Sequence, residues 1–252
     1  MGKGTKTRAQ VNILGVQIDA VTMKEAINCI ENMLTDGKKH QIVTPNPEHI
    51  ILAQKDKEFK EILNQADLAT PDGAGIIWAS KILHRVEPFF KPVLKERVTG
   101  TDLMVELCRK GAQKNWSVYF LGGEEHIPSQ TAINMKSKYS KLSITGASNQ
   151  DPHLTTGKYR IPPTDILFVA YGAPTQEKWI SEHLGQLPIK IAIGIGGAFD
   201  FVVGKQKRAP KLFQNLGIEW LWRLITQPWR WRRQIALINF VRLVLKEKKQ
   251  KK

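Results

Sequence analysis

Several common signals for ligands are absent from this sequence of 252 residues. It has only two cysteines, Cys29 and Cys108, and no CxxC pair, which argues against a disulfide scaffold and favours reduced, buried thiols. HExxH, HxxxH and DxD patterns are missing, so the sequence does not indicate a protein-built site for a divalent metal. The GxGxxG, P-loop and GxSxG motifs are also missing. We therefore predict neither a bound metal nor a cofactor.

Long hydrophobic runs are absent as well. The longest candidate, residues 235–245, contains Arg242 and falls well short of the roughly 18 apolar residues that a membrane span requires. Residues 1–10 are polar and lack the apolar stretch of a signal peptide, so we interpret them as a flexible leader. Together with the sparse cysteine content, this predicts a cytoplasmic chain that does not cross a membrane.

Acidic residues are scarce at one end of the chain. Residues 205–252 hold 14 Lys and Arg but only two acidic residues, whereas residues 1–204 hold 24 basic and 21 acidic residues. Four of the seven tryptophans also lie in residues 205–252. Basic residues mixed with Trp, Leu, Ile and Phe are typical of an amphipathic helix on an anionic membrane surface. Nucleic-acid binding and plain packing or oligomerisation are the alternatives, and the high apolar content disfavours nucleic acid.

The remaining sequence, residues 11–204, alternates short apolar runs with helical patterns. This alternation predicts an α/β fold of Rossmann-like type, with a mainly parallel sheet and helices on both faces. We predict a core at residues 11–204 and a basic, amphipathic, helical appendage at residues 205–252. Because parallel strands end at one edge of their sheet, the loops that follow them should form the functional site.

Two of these loops carry candidate polar groups. Asp72 follows a short strand within the turn TPDG, where a carboxylate would serve as a general base or simply bind turn amides. The turn TPNPEH offers the hydroxyl of Thr44 and the amide of Asn46, which suit the recognition of sugar hydroxyls. The alternative for Asn46 is the N-cap of a helix that starts at Pro47.

Two glycine-bearing turns follow apolar strands and suggest a phosphate site. Gly122 and Gly123 end one strand, and Gly196 and Gly197 follow another. Glycines allow backbone N–H groups to approach a phosphate closely, so a pair of such turns at one edge favours a nucleotide-sized ligand. Asp200, just beyond the second turn, would bind a ribose or base edge, or cap a helix.

A third turn, YGAPTQE, contributes Tyr171 and Gly172, which we also assign to the nucleotide site. Gln176 lies in the first turn of the helix that follows. Its amide would hydrogen-bond to a substrate, or it would be an ordinary exposed helix residue.

Taken in order, the motifs resemble the WecG/TagA/CpsF family of bacterial glycosyltransferases, and within it most closely the TagA branch of wall teichoic acid synthesis. The resemblance covers residues 11–245 and rests on an ordered set of segments: VNILGVQID, TPNPEH, ADLATPDGAG, RVTGTDL, FLGG, YGAPTQEKW, GIGGAFDF and RAPKLFQNLGIEWLWRL. It implies transfer of N-acetylmannosamine from UDP-ManNAc to the 4-hydroxyl of GlcNAc on undecaprenyl diphosphate. The implied reaction inverts the anomeric centre and needs no divalent metal.

The resemblance also implies roles for individual residues. The family's base corresponds to Asp72, and its polar pocket residues to Thr44, Asn46, Arg97 and Gln176. The appendage arginines Arg223, Arg230 and Arg233 would cover the pocket and bind the lipid diphosphate.

The implied partners are a UDP-sugar donor, a polyprenyl-diphosphate-GlcNAc acceptor and the anionic inner face of the cell membrane. Some members of the family use UDP-ManNAcA or other sugars, so a related UDP-sugar is the alternative donor. No nucleic-acid partner is predicted, and the sequence leaves a homo-oligomer open.

Overall fold

The structure is a computed structural model. It describes residues 8–84, 93–153, 159–206, 209–210, 213, 219–226 and 231–250. The polar stretch of residues 84–100 predicts a loop, which falls partly outside the described residues. Pro228 predicts a kink in the C-terminal segment and lies outside them entirely.

A six-stranded parallel sheet forms the centre of the molecule, with strand order β4-β3-β8-β7-β5-β6. The strands are β3 (His40–Val43), β4 (Leu68–Ala69), β5 (Ser117–Gly122), β6 (Ser143–Ser148), β7 (Thr164–Ala170) and β8 (Ile189–Gly194). Because every ladder is parallel, the carboxyl ends of all six strands lie at the same edge.

Helices cover both faces of this sheet. They are α1 (Met23–Met33), α2 (Pro47–Ala53), α3 (Lys57–Gln65), α4 (Ala74–His84), α5 (Gly100–Lys114), α6 (Ile127–Lys138), α7 (Thr175–His183), α8 (Ala198–Val202), α9 (Glu219–Thr226) and α10 (Trp231–Gln250). Alternate strand residues face opposite layers: Phe120 and Phe168 pack with α1, α5, α6 and α8, whereas Leu121 and Val169 pack with α7. The predicted α/β class with helices on both faces is confirmed.

The first strand prediction is wrong in one respect. The apolar pattern of residues 11–18 predicts a single strand. The structure instead has an antiparallel hairpin of β1 (Gln10–Ile13) and β2 (Val16–Asp19), separate from the main sheet. The chain reverses at Leu14 and Gly15, both of which have positive φ. The apolar pattern continues through this two-residue turn, so Gly15 is the only residue in it that indicates a turn.

Two helix boundaries also differ from those predicted. The pattern over residues 47–65 indicates one helix, but the chain breaks after Ala53 because Asp56 caps a new helix by accepting from Phe59 N. The helical pattern that starts near residue 101 predicts Thr101 or Asp102 as its cap, but the N-cap of α5 is Thr99. The spacing of Thr22 and Glu25 predicts a capping box, which is confirmed at the start of α1.

The last helix, α10, packs on α2 and α4. Its side chains Phe240 and Val244 are fully buried, in the same cluster as the β1–β2 hairpin. The division into a core of residues 11–204 and an appendage stays a prediction.

Candidate functional site

A cavity of about 640 Å³ opens at the carboxyl edge of the sheet. Ten of the residues predicted for the site line it: Thr44, Asn46, Asp72, Gly123, Tyr171, Gly172, Gln176, Gly196, Gly197 and Asp200. They lie in the loops that follow β3, β4, β5, β7 and β8 or, for Gln176 and Asp200, in the first turn of the helix after such a loop. The parallel topology brings these segments to one edge of the sheet.

The turn after β4 places Asp72 in the cavity wall. Val98 N donates to Pro71 O at 2.8 Å, and Asp72 N donates to Pro45 O at 3.0 Å. These two bonds connect the Asp72 turn to the segment before α5 and to the turn after β3. The Asp72 carboxylate is half-buried and accepts from Gly100 N, at the first turn of α5, at 3.2 Å.

The turn after β3 holds Thr44 and Asn46 in different ways. Thr44 is almost fully buried, and its hydroxyl donates to Gly194 O at 3.2 Å. The side chain of Asn46 accepts from His49 N at 3.0 Å, which confirms it as the N-cap of α2. Thr44 therefore connects its turn to the end of β8, whereas Asn46 stabilises the start of α2.

Gln176 is also buried and joins two turns. Its Oε1 accepts from Gly172 N at 3.1 Å and from Gly196 N at 3.0 Å. Its Nε2 donates to Glu177 Oε1 at 2.7 Å. Gln176 is only 1% exposed, so the alternative of an ordinary exposed helix residue is wrong.

The turns after β5 and β7 pack against each other. Gly122 has φ +91°, and a Cβ there would lie 2.8 Å from the ring of Tyr171. The Tyr171 hydroxyl donates to Gln150 O at 2.7 Å, and burial raises its pKa. Gly122 itself does not line the cavity within the described structure, whereas Gly123 does.

Asp200 lies in the short helix α8 and lines the cavity. Its Oδ2 accepts from Gln206 Nε2 at 2.9 Å, and its carbonyl accepts from Gln206 N. Gln206 and the glycines at positions 123, 196 and 197 line the same cavity.

Comparison with known proteins agrees with this geometry. A model of the glycosyl transferase WecG/TagA/CpsF family matches residues 11–252. The chain belongs to this family. It is 35% identical over 86% of its length to the N-acetylglucosaminyldiphosphoundecaprenol N-acetyl-beta-D-mannosaminyltransferase of Bacillus spizizenii, covering 82% of that protein. Proteins of the same name from Bacillus subtilis and Staphylococcus aureus are 32% and 30% identical, over 90% and 86% of this chain and 87% and 85% of their own.

In this WecG/TagA/CpsF member, Arg97 is the one predicted arginine whose side chain the structure describes, and it is not among the described residues that line the cavity. Arg97 Nη1 pairs with Glu219 Oε1 of α9 at 2.9 Å. Arg223 and Arg233 belong to α9 and α10, and Arg230 lies outside the described residues. Their contact with substrate stays a prediction.

Sequence reasoning missed several residues of the wall, among them Glu48, His49, Thr101 and Glu124. Glu48 and His49 belong to the same motif as Asn46, TPNPEH, so their position in this motif could have indicated that they line the site. Glu124 pairs with Lys205 at 2.6 Å. Among the described lining residues none is Lys or Arg, while four are carboxylates: Glu48, Asp72, Glu124 and Asp200.

Two further properties bear on the site. Within the described ranges, no group of three or more His, Cys, Asp or Glu side chains is arranged to hold a metal ion. In that same part of the chain, no helix is long and apolar enough to cross a bilayer.

Proposed function

We propose that this glycosyltransferase moves N-acetylmannosamine from UDP-ManNAc to the 4-hydroxyl of GlcNAc on undecaprenyl diphosphate. The reaction inverts the anomeric centre and uses no divalent metal. It serves the linkage unit of wall teichoic acid on the inner face of the membrane. The names of the relatives support this choice of transferred sugar and acceptor.

One observation carries the proposal. Asp72 and the glycine turns at Gly123, Gly172 and Gly197 are far apart in the sequence, yet they line one cavity. A carboxylate on one wall and close backbone approach on another are what a transferase needs for a hydroxyl nucleophile and a diphosphate leaving group.

Asp72 acts as the general base. Its carboxylate takes the proton of the acceptor hydroxyl while that oxygen attacks the anomeric carbon from the face opposite UDP. The bond to the diphosphate oxygen breaks as the new glycosidic bond forms, so the configuration inverts. The bond from Gly100 N fixes the carboxylate in the wall during this step.

The leaving diphosphate gains negative charge in the transition state, and fixed N–H dipoles stabilise it. The amides of Gly172 and Gly196 already donate to Gln176, so we assign the diphosphate to the turns at Gly123 and Gly197. Asp200 binds the ribose, and Tyr171 lies beside the nucleotide. Because four carboxylates line the wall, cationic side chains must also approach the diphosphates.

Residues 205–252 supply those cations. They carry 14 Lys and Arg, including Arg223, Arg230 and Arg233, which we assign to the lipid diphosphate. The same segment binds the anionic membrane surface that holds the acceptor. Arg97, which lies between the Asp72 turn and α5, contacts the acceptor side of the cavity once Glu219 releases it.

The test is release of UDP from UDP-ManNAc in the presence of a lipid-diphosphate-GlcNAc analogue and EDTA. We expect wild-type turnover and a loss of at least about 100-fold in Asp72→Asn, which removes the base. Glu106→Gln is the matched control, because Glu106 pairs with Arg109 on α5 away from the cavity.

Each alternative result has a distinct meaning. Equal turnover by wild type and Asp72→Asn would remove Asp72 as the base. Turnover that requires added Mg²⁺ would contradict metal independence. Turnover only with UDP-ManNAcA or another UDP-sugar would favour the related-donor alternative, and salt-dependent RNA or DNA binding without any UDP-sugar turnover would favour the nucleic-acid alternative.

A further inference from the structure

A buried pair of neighbouring side chains, Gln176 and Glu177, lies beneath the cavity in the first turn of α7. Gln176 is 1% exposed and Glu177 is 0% exposed. The Gln176 amide oxygen takes two N–H donors, from Gly172 after β7 and Gly196 after β8. Because β7 and β8 are adjacent strands, this single oxygen ties neighbouring glycine turns together.

The other end of the amide fixes its orientation. Gln176 Nε2 donates to Glu177 Oε1 at 2.7 Å. If the amide were flipped, its NH₂ group would face two N–H donors, and its oxygen would face a carboxylate. Glu177 therefore fixes the orientation of the Gln176 amide together with the two glycine N–H groups.

The surroundings of Glu177 are built to hold it. Gln41 Nε2, from β3, donates to the backbone carbonyl of Glu177 at 2.9 Å. A Cβ at Gly194 would lie 3.0 Å from Glu177 Oε1, so the last residue of β8 leaves room for the carboxyl. Within the described structure, Glu177 Oε2 has no hydrogen-bond partner.

Such a group is costly for stability. A desolvated carboxyl with one unsatisfied oxygen destabilises the fold, so a structural role alone is a poor explanation for it. Burial raises the pKa of Glu177 to about 7, against the opposing effect of the bond from Gln176. Strongly perturbed carboxyls beside a cavity are typical of functional sites.

Resting on the proposed function, we propose that Glu177 is a positioning residue for glycosyl transfer. Its carboxyl orients the Gln176 amide, which holds the turns at Gly172 and Gly196 in the geometry that the UDP-sugar requires. Ionised Glu177 accepts a stronger, charge-assisted hydrogen bond than the neutral acid, so the ionised form supports faster transfer.

Several charged groups on the elements that pack on α7 have partners other than Glu177. Asp56 and Glu58, at the start of α3, pair with Lys178. His40 of β3 pairs with Asp36, and Asp165 of β7 pairs with Lys190 of β8. Tyr171, just after β7, donates to Gln150 O. The titration of Glu177 thus depends mainly on its burial and on Gln176.

Two substitutions separate the hydrogen bond from the charge. Glu177→Gln keeps an acceptor for Gln176 Nε2 but cannot ionise, whereas Glu177→Met removes the acceptor. Glu182→Met is the matched control, because Glu182 lies on the same helix and is exposed.

The first readout is the pH profile of kcat/KM for UDP release. We expect the ratio of wild type to Glu177→Gln to be near one at pH 6 and to rise several-fold by pH 8.5, as wild-type Glu177 ionises. Glu177→Met should lose about 10- to 100-fold in kcat/KM, with a larger change in kcat than in KM. The reason is that misplaced glycine turns stabilise the negative charge that develops on the diphosphate less well. A pH-independent ratio, or a Glu177→Met variant as active as wild type, would overturn the proposal.

The second readout needs no turnover. Amide ¹H–¹⁵N signals of Gly172 and Gly196 should shift in Glu177→Met and stay in place in Glu182→Met, and UDP affinity should fall only in Glu177→Met. Unchanged glycine signals would overturn the positioning role. A wild type that turned over no UDP-sugar would contradict the proposed function instead, and the glycine signals and UDP affinity would still decide the role of Glu177.

Discussion

At the scale of single residues, the floor of the cavity depends on the absence of a side chain at Gly194. Its carbonyl accepts from the Thr44 hydroxyl, and a Cβ there would lie 2.8 Å from Gln176 Nε2. Gly194 is not at a positive φ, so close approach, and not backbone conformation, is what requires glycine. The Thr44 turn and the amide of Gln176 therefore meet at this residue.

We expect Gly194→Ala to weaken both stability and catalysis. The added methyl group must displace the buried Gln176–Glu177 pair, at a cost of about 1–3 kcal/mol typical of overpacking. Urea denaturation and kcat/KM for UDP release measure the two effects. Gly185→Ala is the control, because a Cβ at Gly185 meets nothing within 4 Å, and equal behaviour of the two variants would contradict this reading.

The sequence was sufficient to predict the polar residues that follow strands, such as Asp72, Asn46 and Gln176, because strand ends and turn residues are local signals. It left the partners of Asp72 and Asn46 open between two alternatives, and it did not predict the partners of Gln176. The two glycine amides that share Gln176 Oε1 come from different loops, and only the sheet order brings them together. The burial of Glu177 was missed for the same reason, since a polar residue in a helical first turn is usually exposed.

At the scale of elements, the last helix and the helix that follows the Asp72 turn are closer than the chain order indicates. A Cβ on Gly75, at the start of α4, would lie 3.6 Å from Leu237 and 3.7 Å from Phe240 of α10. The helix that begins just after Asp72 is therefore held by a helix from the C-terminal segment. Helical periodicity predicted both elements, but not this contact, because periodicity identifies an apolar face and not its partner.

We expect Phe240→Ala to destabilise the fold by about 3–5 kcal/mol, the usual cost of removing a buried aromatic ring. Phe240 is fully buried among residues of the hairpin, α2 and α4. Its truncation therefore leaves a cavity inside the core, which exposed side chains cannot fill. The free energy of unfolding in urea measures the change. Leu245→Ala, at a side chain that is 40% exposed on the same helix, should cost far less. Similar losses in both variants would show that α10 is not packed as described.

At the scale of the whole molecule, basic residues and exposed large apolar side chains are concentrated toward the C-terminal end of the chain. Ile235, Ile238 and Leu245 of α10 are exposed, and at about 100° per residue they share a face with Arg242 and Lys246. This outer face lies opposite the buried Phe240 and Val244. A face of isoleucine, leucine and basic residues is suited to the headgroup layer of an anionic membrane, where the lipid acceptor would be held.

Membrane binding through this face gives the last prediction. Ile238→Glu should reduce pelleting with phosphatidylglycerol vesicles by about tenfold, because it replaces an inserted apolar side chain with a charge that anionic lipid repels. Ile133→Glu is the matched control, since Ile133 is 60% exposed on α6 and Ile238 is 68% exposed. If both substitutions reduced pelleting equally, general charge repulsion and not the α10 face would explain binding. If transfer to a short, water-soluble acceptor analogue also fell in Ile238→Glu, α10 would contribute to the reaction beyond bringing the enzyme to its lipid substrate.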